Sequence, residues 1–94
     1  MKTNLTRKEI GQYADMHAEL NKEQIINEYI QLGGNPLLDQ DEIIYLYKYY
    51  IYSGIWYDHD YSIQSFVFHI NGYGEYNKKE TLFNDLLSHL ECCL

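Results

Sequence analysis

A single arginine, Arg7, is all the chain carries of the side chain best suited to grip a phosphate. That scarcity argues against phosphate chemistry. The Gly72-Tyr73-Gly74 run does not repair it, because it lacks the lysine and the strand–helix setting of a phosphate loop. Cysteine is nearly absent too. Cys92 and Cys93 are adjacent, and one neighbouring pair is no disulfide framework. No glycine elbow surrounds Ser53, Ser62, Ser65 or Ser88, so the activated serine of nucleophilic catalysis is missing. No run approaches the roughly 18 apolar residues of a membrane span. There is no internal repeat, no low-complexity tract and no flexible linker. Met1 to Thr6 show no apolar stretch of the leader kind, and the expected location is cytoplasmic.

What remains is a short chain of 94 residues, 46% hydrophobic and 22% charged. That composition belongs to a folded domain, read as one unit over residues 1–94. A chain of this size buries only roughly 60–65% of the surface its unfolded form exposes, which leaves little room for a deep catalytic cavity.

Two excesses stand against these shortages. The formal net charge is −7, and there are 11 tyrosines beside three phenylalanines and one tryptophan. Residues 9–60 hold ten acids against Lys22 and Lys48 alone. Such a field repels nucleic acid. Thr6 to Leu32 has the length of a helix-turn-helix, but its second helix carries Glu23 and Glu28 with only Lys22, the wrong sign for reading DNA.

Capping chemistry marks four helix starts: Thr6 with Glu9, Asn21 with Gln24, Asp39 with Glu42, and Asn77 with Glu80. The first helix is read as Arg7 to Leu20, with Ile10, Tyr13, Ala14, His17 and Leu20 on its apolar stripe. The second runs from Lys22 to Leu32, with Ile25, Ile26, Tyr29 and Ile30 inward, and stops at Gly33-Gly34. Residues 39–53 are read as a helix with Ile43, Leu46, Tyr47, Tyr50 and Ile51 on one face. A strand there is the competing reading. Ile63, Phe66, Val67 and Ile70 have helical spacing, with a β-hairpin turning at Asn71-Gly72 as the alternative around residues 61–76. The last helix runs from Lys78 to Cys92, with Leu82, Phe83, Leu86, Leu87 and Leu90 inward. The expectation is a mainly α, compact bundle of four or five short helices. Its core is read as Ile10, Tyr13, Ile25, Ile26, Ile30, Ile43, Leu46, Tyr50, Phe66, Val67, Ile70, Phe83, Leu86 and Leu90.

If residues 39–53 are helical, Tyr45, Tyr49 and Tyr52 fall opposite the inward face, and Trp56 and Tyr57 follow. An aromatic patch rimmed by Asp41, Asp58 and Asp60 has the composition of a protein-binding hot spot. The bland account is tyrosine filling a small core with its hydroxyls outward. Acids spaced along helices, including Asp39, Asp41 and Glu42, could meet a basic groove as a nucleic-acid backbone does. The bland account is a solvated face. Asp58-His59-Asp60 is the densest polar cluster, but alternating neighbours diverge, and a metal needs three or four converging ligands. His89 and Cys93 share a helical face without a complete ligand set. No catalytic residue, metal or cofactor is assigned.

The functional expectation is a non-catalytic protein inhibitor that binds a basic nucleic-acid-binding enzyme, with no direct contact to nucleic acid or membrane, as a monomer or homodimer. Small phage and mobile-element proteins of the anti-CRISPR and anti-restriction kind share this general composition, which is a likeness of composition and not of descent. The alternative is an immunity or antitoxin-like helical protein that neutralises a cognate toxin.

Overall fold

Thr6 starts the first helix by a reciprocal exchange. Its hydroxyl accepts from the Glu9 amide at 3.2 Å, and the Glu9 carboxylate accepts from the Thr6 amide at 2.9 Å. Those two hydrogen bonds hold the exposed Glu9 carboxyl below the usual carboxylate range. Asp39 and Glu42 repeat the motif at 2.9 and 3.0 Å. Asn21 does not. It ends the first helix by donating from Nδ2 to the His17 carbonyl at 2.8 Å, and the second helix begins without a side-chain cap. The helices meet with no linker between Leu20 and Lys22, so Asn21 already closes the previous helix. Ser62 caps a start that the sequence reading passed over, accepting from the Ser65 amide at 3.2 Å.

The computed structural model describes residues 5–72 and 79–92. Within them lie five helices: α1 (Arg7–Leu20), α2 (Lys22–Gln31), α3 (Gln40–Tyr57), α4 (Ile63–Asn71) and α5 (Lys79–Cys92). No strand occurs among the described residues. The mainly α expectation therefore holds. Residues 63–71 form a helix rather than the first arm of a hairpin, while residues 73–76 and the Asn77 cap lie outside the described residues.

The central element is α3, which packs against α1, α2 and α5. It buries Ile43, Ile44, Leu46, Tyr47, Tyr50, Ile51, Ser53 and Gly54, a wider face than a single stripe. It also runs a turn beyond the expected Ser53, to Tyr57. Asp58 then takes the left-handed conformation (φ 59°, ψ 49°), and its amide donates to the Gly54 carbonyl. Two partners explain the reach of this last turn. Tyr47 donates its hydroxyl to the Tyr61 carbonyl at 2.8 Å, drawing the connection back onto the helix. Gly54 makes room for it, since a Cβ there would stand 2.5 Å from the Tyr61 ring.

The core of α1 differs from its expected stripe. Ile10, Ala14 and Ala18 are buried, whereas Tyr13 is 37% and Leu20 76% exposed. Small alanines let α1 approach α3 closely, which turns the bulky neighbours outward. Ile30 is 64% exposed, because Ile25, Ile26 and Tyr29 fill the inward face and Ile30 lies about 100° further round. The leucines of α5 follow expectation: Leu82, Leu86 and Leu90 are buried, with Phe83 and Leu87 packed at the margin.

Glycine chemistry gives a direct check on this packing. Gly11 sits inside α1, and a Cβ there would meet the Tyr52 ring at 3.8 Å, an ordinary contact. Gly11→Ala is expected to stabilise the fold by about 0.5–1 kcal/mol through helix propensity. Gly54→Ala is expected to destabilise it by roughly 1–3 kcal/mol, because the Tyr61 ring must move. Urea denaturation of both variants tests this, and effects of the opposite order would contradict the packing.

Candidate protein-binding groove

Helices α1 and α3 run antiparallel in one register. Arg7 lies over the Trp56 ring at 4.8 Å, Gly11 faces Tyr52, and Asp15 bonds Lys48 at 2.7 Å. Lys22, the first residue of α2, continues the series and reaches Asp41 at 3.4 Å. Each step forward along α1 is thus matched by an equal step backward along α3. The contact types alternate as well: guanidinium on indole, glycine on phenol, carboxylate on ammonium.

Lys48 is the most strongly held of these cations. It also donates to Glu19 at 3.0 Å, and its side chain is only 25% exposed. Burial pulls its pKa down, but the bonds from Asp15 and Glu19 outweigh that, and the ammonium stands above the ordinary lysine value.

On the solvent side the seam opens into a groove of about 430 Å³. Tyr45, Tyr49 and Tyr52 form one wall with Lys48. Lys8, Gly11, Gln12, Ala14 and Asp15 form the other wall and the floor. Tyr45 and Tyr49 meet edge-on, with ring centres 5.3 Å apart and hydroxyls 3.3 Å apart. Tyr45 also leans on Phe83 of α5, at 6.1 Å between centres. Tyr45 is 44% exposed, while Tyr49 and Tyr52 are half-buried.

The expected site residues therefore divide. Tyr45, Tyr49 and Tyr52 come together as the groove wall. Asp41 lies one turn before Tyr45 on the same helix, so it extends the stripe at that end. Trp56 extends it at the other end, but beneath Arg7 rather than open to a partner. Tyr57, Asp58 and Asp60 lie past the groove at the C-terminal end of α3 and do not line it. Asp39 and Glu42 serve the α3 capping box, so charge reversal there would disturb the helix before it tested any interface. The α1 contributors, Lys8, Gly11, Gln12 and Asp15, were missed by sequence reasoning. Their four-residue spacing was visible, but its meaning depends on the antiparallel register with α3.

The polar cluster after α3 is tied together by its own hydrogen bonds. His59 Nε2 is 3.0 Å from the buried Ser53 Oγ, and Nδ1 is 3.0 Å from the Asp60 carbonyl. Asp60 accepts from the amide and hydroxyl of Ser62 at 2.8 and 3.1 Å. Asp58 forms the left-handed cap. The three neighbours thus diverge. Ser53 sits mid-helix, where backbone amides are engaged in the α-helical ladder and do not serve an oxyanion. Among the described residues, no three His, Cys, Asp or Glu side chains converge on a point that could hold a metal. The side chains of His89, Cys92 and Cys93 lie outside those described. No described helix is long and apolar enough to cross a membrane.

Other tyrosines belong to the core. The Tyr29 hydroxyl donates to the Asn35 carbonyl at 2.7 Å, and Tyr50 exchanges a short hydrogen bond with Ser65. Burial pushes the Tyr29 phenol well above its ordinary value. Burial, helped by Tyr61, Glu28, Asp60 and Tyr50, pushes Tyr47 up to about 12. The unfolded chain loses these protons near pH 10, before the folded state does. Stability is then fully present below that pH and falls as pH rises from about 10 toward 12. Circular dichroism across that window should show alkaline unfolding, delayed to higher pH in Tyr47→Phe when each is compared with its own neutral-pH stability.

Set against known protein families, curated proteins and solved structures, this chain matches none, so its own geometry carries the functional reading.

Proposed function

We propose that this chain is a non-catalytic inhibitor that binds a basic nucleic-acid-binding enzyme and competes with its nucleic acid, in the manner of anti-CRISPR and anti-restriction proteins. The observation that carries the reading is an open, tyrosine-walled groove on the surface of a strongly acidic helical domain. Tyrosine supplies large contact area with few rotors to freeze, and its hydroxyl tolerates water before the partner arrives. The acids supply a long-range field that draws a basic partner in.

The two elements have different tasks. The phenol rings at Tyr45, Tyr49 and Tyr52 set how long a complex lasts. Exposed carboxylates such as Asp41, whose side chain is 91% exposed, set how fast it forms. Asp15 and Glu19 add negative charge beside the groove, offset in part by Lys48.

The test begins with a tagged pull-down from host lysate, washed at low and then high salt. A nucleic-acid-binding enzyme retained at low salt and shed at high salt is the expected result. Capture of a toxin would instead move the reading to an immunity protein. With the enzyme in hand, Glu23→Lys combined with Asp41→Lys avoids both capping boxes. It is expected to slow association by up to about tenfold and flatten its salt dependence. Unchanged rates and an unchanged salt slope would remove the electrostatic part of the proposal.

A further inference from the structure

We infer that the α1–α3 groove is a receptor for an arginine side chain of the protein partner, with Gly11 keeping its floor open. The inference rests on the protein-binding reading above and names the group that enters.

Glycine use carries the first step. Gly34 and Gly54 are demanded by packing, because a Cβ at either would run into the ring of Tyr29 or Tyr61. Gly11 is under no such demand. It lies in mid-helix, and the Tyr52 ring would accept a Cβ at ordinary contact distance. The fold therefore does not explain a residue that weakens its own helix. The groove does, since the missing side chain is what exposes the face between Gly11, Gln12 and the tyrosine wall.

Chemistry carries the second step. The same seam already receives cations in two ways. Arg7 lies over Trp56 at 4.8 Å, and Lys48 is bonded by Asp15 and Glu19. Tyr49 and Tyr52 line the groove together with Asp15. A guanidinium suits that space, because it stacks flat on a phenol while its fork reaches a carboxylate. Asp15 keeps a side chain 66% exposed and Glu19 one 51% exposed while sharing one ammonium, so capacity for a second cation remains. Lys8 and Lys48 line the groove as well; Asp15 and Glu19 already meet the Lys48 charge, and Lys8, one turn before Gly11, directs the guanidinium toward the Asp15 end.

The probe is the blocked tripeptide acetyl-Gly-Arg-Gly-amide, compared with its citrulline counterpart, which has nearly the same shape and no charge. Both are titrated into the intact chain and followed by amide and aromatic proton NMR. The arginine peptide should shift Gly11, Gln12, Asp15 and the Tyr49 and Tyr52 ring protons, with the citrulline peptide about tenfold weaker. Gly11→Leu, which fills the floor, and Tyr49→Leu, which removes a ring face, should each weaken binding by about tenfold. Circular dichroism of each variant confirms folding, and either folded variant suffices. Equal binding of citrulline, shifts elsewhere on the surface, or inorganic phosphate moving these resonances in place of arginine would overturn the assignment. A nucleic-acid-binding enzyme that holds wild type and folded Gly11→Leu equally would sink this inference and leave the inhibitor reading standing. Arginine bound in the groove, with only other classes of protein captured, would do the reverse.

Discussion

The antiparallel register of α1 against α3 is the constraint on which the rest depends. It is set inside by small residues, with Ala14 and Ala18 letting the helices approach, and outside by the series from Arg7 on Trp56 to Lys22 with Asp41. Once it is fixed, α3 has one face on α1 and the remainder for α2, α4 and α5. The groove is a by-product of the same geometry. Large phenols on one helix oppose glycine and glutamine on the other, and they leave a channel that the buried part of the interface does not close.

Much of the fold was legible because local chemistry and global packing agree. The Thr6–Glu9 and Asp39–Glu42 boxes formed as read, and the helical spacing of Ile63, Phe66, Val67 and Ile70 prevailed over the turn signal at Asn71-Gly72. The failures are of two kinds. Asn21 was judged by the helix it precedes although the helix before it claims its side chain, while Tyr13 and Ile30 were judged by apolar spacing alone although other residues of their own helices hold the inward face. Asn21 was already closing α1, alanines took the inward place beside Tyr13, and Tyr29 filled the space that Ile30 would have used. Half of the groove was hidden for a further reason. The tyrosine wall lies on one helix and follows from its periodicity, while the opposing wall needs the pairing of helices far apart in sequence.

The acids illustrate how one residue type divides its tasks. Glu9, Asp39 and Glu42 satisfy backbone amides at helix starts, and Asp60 organises the approach to α4. Asp15, Glu19 and Asp41 pair with lysines across the seam. A net charge of −7 can thus suggest a uniform negative face, while many of the carboxylates also hold the chain together locally. The long-range field survives this use, because a carboxylate bonded to an amide keeps its charge.

Trp56 is the only indole in the chain, and Arg7 covers it from the other helix. Its emission is therefore a built-in optical gauge of whether α1 lies on α3. Tyrosine absorbance, summed over all 11 tyrosines, changes when Tyr29, Tyr47 and Tyr50 leave the buried interior. The seam and the core can be watched through two colours of the same unlabelled molecule, and a loosening of one without the other would be visible as the two signals parting.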